Sequence, residues 1–147
     1  MIRKIYLDTC CYNRPFDNLL DGKIRLEAEA ILSLCTELDG NDFKLFTSRM
    51  VDYELGKMKN LDKKEKVLVF RNSIASVHLS HSGEIERIAS DLENLGIKFL
   101  DALHIAYCEY YRISYLLTTD KILINASKRA NLFTNVVNPL FFVMEVL

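Results

Sequence analysis

The chain has 147 residues, half of them apolar and about a quarter charged, a balance that excludes disorder and suffices to close one hydrophobic core. Its formal net charge of −1 gives no electrostatic footprint for nucleic acid, although acids gathered around cations would hide basic residues in that average. Cys10, Cys11, Cys35 and Cys108 show neither C-x-x-C spacing nor a His at zinc-finger distance, which argues against a structural zinc and for reduced thiols.

The N-terminal apolar run, Ile5 to Leu7, is too short for the core of a signal peptide. The longest uncharged stretch, Ala130 to Met144, carries several asparagines and Pro139 and is too short to span a bilayer. A single domain over 1–147, cytoplasmic and with no membrane segment, is expected.

Four strands and the helices between them follow from periodicity. Ile2 to Asp8 reads as a buried strand running into a turn at Asn13-Arg14-Pro15. Ile24, Ala28, Ile31, Cys35 and Leu38 keep a 3.6 period and predict a helix stopped by Asp39-Gly40-Asn41. Phe43 to Thr47 is the second strand, with Ser48 placed to cap the next helix. The Lys-rich stretch from Lys57 to Lys66 joins that helix to another. A helix built on Ile85, Ile88, Ala89, Leu92 and Leu95 closes at Gly96. Phe99 to Tyr111 is apolar almost all round and predicts a buried helix. Tyr115 to Thr119 is the third strand, a helix begins near Lys121, and Val136-Val137 is a short fourth strand. Asn138-Pro139 opens a last helix. Strands alternating with helices predict an α/β fold with a central parallel sheet, whose ligands bind outside the carboxyl ends of the strands.

Asp8 and Asp120 both fall at such ends. Glu54 lies on the apolar stripe of Val51, Leu55 and Met58, whereas Asp52 points elsewhere. Asp101 is the only charge from Phe99 through Cys108. Each acid has a bland alternative: a rim residue for Glu54, a helix first-turn residue for Asp101, a turn for Asp8 and an N-cap for Asp120. Convergence of all four would be intolerable without cations, and oxygen ligands favour Mg²⁺ or Mn²⁺ over Zn²⁺.

Leu7-Asp8-Thr9, Glu54-Leu55, Leu100-Asp101-Ala102-Leu103-His104-Ile105-Ala106 and Leu117-Thr118-Thr119-Asp120 resemble PIN-domain nucleases in order and spacing, over essentially the whole chain. The group most similar is that of the VapC-type toxins of prokaryotic toxin–antitoxin pairs. The resemblance implies a three-layer α/β/α domain. It also implies Mg²⁺- or Mn²⁺-dependent endoribonuclease cleavage of RNA, with Asp8, Glu54, Asp101 and Asp120 as catalytic and metal-holding residues. A homodimer joined by an antitoxin protein is the implied assembly. Two departures stand out: Cys10 replaces the Asn or Ser of many relatives, and no further acid follows closely on Asp120.

Arg14, Arg25, Lys57 and Lys59 are candidates for RNA backbone contacts, and Thr119 for positioning Asp120 or a phosphate oxygen. His104 reads as a hydrogen-bonded core residue or a general base, with the core role favoured. Tyr107, Tyr110 and Tyr111 read as core or dimer contacts, and Cys10-Cys11 as small apolar filling. The rival functions are a catalytically silent PIN-like binding module and an Asp-nucleophile phosphatase. The second normally wants an acid at position 10, where this chain has Cys.

Overall fold

The computed structural model describes residues 2–147. Five parallel strands form one sheet: β1 (Arg3–Leu7), β2 (Phe43–Ser48), β3 (Val77–Leu79), β4 (Tyr115–Leu117) and β5 (Asn135–Val137), in the order β3-β2-β1-β4-β5. Eight helices cover its two faces: α1 (Thr9–Asn13), α2 (Gly22–Glu37), α3 (Arg49–Gly56), α4 (Leu61–Ile74), α5 (Gly83–Glu93), α6 (Phe99–Tyr110), α7 (Lys121–Ser127) and α8 (Pro139–Glu145). This is the expected α/β/α arrangement. Among the described residues no helix is long and apolar enough to cross a membrane, and all four cysteines are free thiols.

Strand β1 is central because Ile5, Tyr6 and Leu7 are fully buried, and apolar residues on both faces suit only an inner strand. It pairs with β2 through Tyr6↔Phe46 and with β4 through Leu7↔Leu117. After β3 the chain crosses back through α5 and α6 to β4, so strand order reverses between β1 and β4. That reversal opens the crevice in which such sheets bind ligands.

Local chemistry explains the helix starts. Ser48 accepts from the Met50 N–H at 3.2 Å, and Asn138 accepts from the Leu140 N–H at 2.8 Å with Pro139 behind it. Gly96 takes φ +87° just beyond α5, a conformation that favours Gly. α6 buries every residue from Ala102 to Cys108, as its apolar circumference predicts.

Three features differ from the expectation. Asn13-Arg14-Pro15 is not a simple turn: α1 precedes a 3₁₀ turn at Arg14–Phe16. Val77–Leu79 adds an edge strand, too short for any period to show, paired as Thr47↔His78. The buried face of α2 is rotated toward Ala30 and Leu34 and includes Glu27, which is fully buried.

Asp52 lies off the acid face, as expected. Its carboxylate accepts from Arg71 at 2.5 Å and pairs with His78 at 2.7 Å, joining α3, α4 and β3. Burial opposes its charge, but His78 and Arg71 outweigh that and hold its pKa below the ordinary value. Asp52→Asn is therefore expected to cost about 2 kcal/mol in urea unfolding at pH 7, the scale of a charge-assisted hydrogen bond. The deficit should shrink as pH falls through the lowered Asp52 pKa, because the wild-type contribution exists only while the carboxylate is ionised.

Candidate active site

Asp8 leaves β1 beside the end of β4, its N–H donating to the Leu117 carbonyl at 2.9 Å. Its Oδ1 accepts from the Thr9 N–H at 2.8 Å, which makes it the N-cap of α1. Its Oδ2 accepts from the Thr118 hydroxyl at 2.7 Å and from the Cys10 thiol at 3.4 Å. The turn reading and the site reading of Asp8 thus hold together. Cys10 is not mere filling, since its weak S–H donor faces the carboxylate.

α3 carries Glu54 to the same point. Its Oε1 accepts from the Thr9 hydroxyl at 2.9 Å and is in hydrogen-bond contact with His104 Nε2. The same Nε2 lies 3.6 Å from Asp8 Oδ1. On its other side His104 Nδ1 is 2.8 Å from the Tyr6 hydroxyl, which lies 2.6 Å from Ser48 Oγ. Ligand atoms of Asp8, Glu54 and His104 all fall within 4.8 Å of one another.

His104 is 1% exposed, so the core reading is right about its burial. It is incomplete about its neighbours, because the ring faces the acids. Burial pushes the imidazole pKa down, but the Glu54 hydrogen bond and the charges of Asp8, Glu54 and Asp101 outweigh it and raise the pKa above the ordinary His value. Glu54 moves oppositely: burial raises its pKa, and His104 and Thr9 pull it below normal. His104 and Glu54 thus each favour the charged form of the other.

Asp101 stands in the first turn of α6, half-buried, outside the tight group. It neither caps its helix nor has a hydrogen-bond or ion-pair partner among the described residues, which removes the bland first-turn reading. Burial, then the charges of Asp8 and Asp120, raise its pKa. Asp120 ends the β4 segment as the N-cap of α7: Oδ1 accepts from Ile122 N–H at 2.9 Å and Leu123 N–H at 3.4 Å. Its own N–H donates to Thr118 Oγ1 at 3.1 Å. The buried Thr118 hydroxyl therefore touches both ends of the acid row, a role the sequence reading missed for lack of any signal beyond its place beside Asp120.

A sequence model of the PIN domain matches residues 5–129, which run from the middle of β1 to just past α7 and include every acid described above. The chain belongs to the PIN domain family. No curated protein matches this PIN domain. Among solved structures it is similar in fold to a chain of the crystal structure of VapBC2 from Rickettsia felis bound to a DNA fragment from their promoter. That likeness has a TM-score of 0.59 at 18% identity and covers 92% of this chain and 98% of that one.

Of the basic candidates, only Lys57 is tied to the acids. Its charge reaches Glu54, and its ammonium sits 4.4 Å from the Tyr53 ring centroid. Arg25 and Lys59 are exposed. Arg14 is committed inside the fold to Glu27, Asp17 and the Thr119 hydroxyl.

Asp8, Glu54 and His104 could together hold a metal ion, and Asp101, which interacts electrostatically with all three, has no hydrogen-bond or ion-pair partner among the described residues. In the metal-free protein, Asp101→Asn should raise the melting temperature or leave it unchanged, a gain on the order of 1 kcal/mol from relieved repulsion. Asp8→Asn should lower it instead, because three protein donors lose their anionic acceptor. Thermal melts in EDTA check both. Asp101→Asn melting well below wild type would show that its carboxylate is a structural anchor.

Proposed function

We propose that this PIN domain is a divalent-metal-dependent endoribonuclease and that Mg²⁺ or Mn²⁺ is held by Asp8, Glu54, Asp101 and Asp120. One observation carries the reading. Asp101, half-buried near other carboxylates, has no hydrogen-bond or ion-pair partner among the described residues, and burial with the charges of Asp8 and Asp120 outweighs the opposing charge of His104, a state expected to persist where a cation completes the site.

A bound divalent ion supplies Lewis-acid stabilisation of the phosphate and lowers the pKa of the attacking water. The chain's own residues do the rest. Asp8 is fixed by Thr9, Thr118 and Cys10, and the backbone of Asp120 by Thr118, so two acids are held against the rigid ends of β1 and β4. Glu54 takes the proton of the attacking water, with His104 Nε2 against its Oε1 orienting the carboxylate. Lys57 supplies positive charge for the RNA backbone near Glu54, and Arg25 and Lys59 extend it as exposed cations. Asp8, Glu54, Asp101 and Asp120 are all present, which favours an active nuclease over a silent binding module.

Purified protein is expected to cleave RNA with Mg²⁺ or Mn²⁺ and to stop in EDTA. Asp101→Asn should lose about 10²-fold or more in rate, and Asp52→Asn should retain activity. Cleavage at full rate in EDTA, or equal loss in both variants, would refute the assignment.

The partner reading is that of a VapC-like toxin: a homodimer bound by an antitoxin protein. It is supported by the fold shared with the VapBC2 structure. It is also supported by an apolar cleft of about 440 Å³ between α3 and α6 where Tyr53 and Phe99 are about half exposed. Of the tyrosines read as core or dimer contacts, Tyr107 is fully buried in the core, whereas Tyr110 is exposed, as is Phe141. Sedimentation is expected to give a dimer at micromolar concentration that Tyr53→Ala/Phe99→Ala weakens. A monomer throughout would remove the dimer.

A further inference from the structure

The sequence gives Glu27 no role, yet it is the one carboxylate of this chain that is completely buried among the described residues. Burying an ionised carboxylate is costly unless it is paired and hydrogen-bonded. Both oxygens are in fact used. Oε1 accepts from Arg14 Nε at 3.0 Å, and Oε2 accepts from Asn138 Nδ2 at 2.6 Å. The remaining nitrogens of the same guanidinium reach outward. Arg14 NH1 donates to Asp17 at 2.7 Å, and NH2 donates to the Thr119 hydroxyl at 3.1 Å. Asp17 is in turn paired with Lys63. Asn138 Oδ1 caps α8.

All three nitrogens of Arg14 thus end on separate acceptors, and the last is the residue beside Asp120. We infer that the Glu27–Arg14 pair is the positioning device of the corner between β4 and α7. Glu27 orients the guanidinium from inside the fold, and the guanidinium fixes Thr119 and with it the segment that presents Asp120. Arg14 is then a positioning residue and not one of the phosphate contacts expected from the sequence. A planar fork with separate donors performs this task and a lysine ammonium does not. Glu27, having no exposed surface, cannot touch RNA, so any effect of its substitution on the site must pass through Arg14 or Asn138.

The kinetic consequence rests on the nuclease reading above; the positioning does not, and the test separates them. Full-length Arg14→Lys and Glu27→Gln are compared with wild type by thermal melting and by hydrogen exchange at the Ile122 and Leu123 amides, the two that Asp120 caps. Cleavage of an RNA oligonucleotide with Mn²⁺ is then followed at several salt concentrations.

The expected result is about tenfold faster exchange at those two amides in both variants, with Ala106 in α6 unchanged. The expected kinetic result is a fall in kcat of up to about 10²-fold at unchanged KM and unchanged salt dependence, the double variant being no worse than the worse single one. Should Glu27→Gln fail to fold, Arg14→Lys, which keeps the charge, carries the same readouts. Unchanged exchange in the folded variants overturns the proposal. So does a raised KM with a shallower salt dependence in Arg14→Lys alone, which would make Arg14 a phosphate contact. Loosened amides in a protein that cuts no RNA would leave the positioning standing and remove the nuclease reading.

Discussion

The site is governed by the mutual repulsion of carboxylates brought together at the carboxyl edge of a parallel sheet. Asp8, Glu54, Asp101 and Asp120 come from four different elements, and two kinds of compensation act on them. Hydroxyls and a thiol from Thr9, Thr118 and Cys10 donate to the most buried oxygens. The His104 imidazole contacts Glu54, and its pKa is raised by the Glu54 hydrogen bond and the neighbouring carboxylates. Asp101 receives no hydrogen bond among the described residues, and burial with the charges of Asp8 and Asp120 outweighs His104 and raises its pKa. The uncompensated remainder is the physical ground for the cation proposed at this edge.

That edge is rigid because its anchors are buried. Tyr6 has no exposed surface, yet its hydroxyl touches both His104 and Ser48, so one core phenol links the imidazole to the cap of the helix carrying Glu54. Two arginines flank the acid row in similar fashion. Arg71 on α4 is spent on Asp52 and Arg14 on Glu27 and Asp17, in each case on acids outside the metal set. Guanidinium groups so engaged join neighbouring elements without neutralising the acids proposed to hold a cation.

Much of this was legible in the sequence because it is local. A carboxylate ending an apolar strand, one interrupting an apolar helix and one on an apolar stripe are conflicts with burial that residue order alone reveals. Asp8, Asp101 and Glu54 were found that way. His104 was seen but placed with the core, since a buried His on an apolar helix looks the same whether it meets a carbonyl or a carboxylate. Glu27 gave no signal: an acid on a helix otherwise rich in charge reads as solvent-facing. β3 failed for a different reason, three residues at a sheet edge being too few for periodicity to distinguish from a loop.

The sequence by itself determined the alternation of strands and helices apart from β3, the caps at Ser48 and Asn138, and where acids conflict with burial, because each depends on neighbours within a few positions. Only the tertiary structure decided that strand order reverses between β1 and β4, which puts Asp8 against Thr118 across 110 positions. Only it joined His104 to Glu54 and turned Arg14 inward to Glu27. These are contacts between elements distant in sequence, fixed by strand register and by the need to pair every buried charge, and no local period records them.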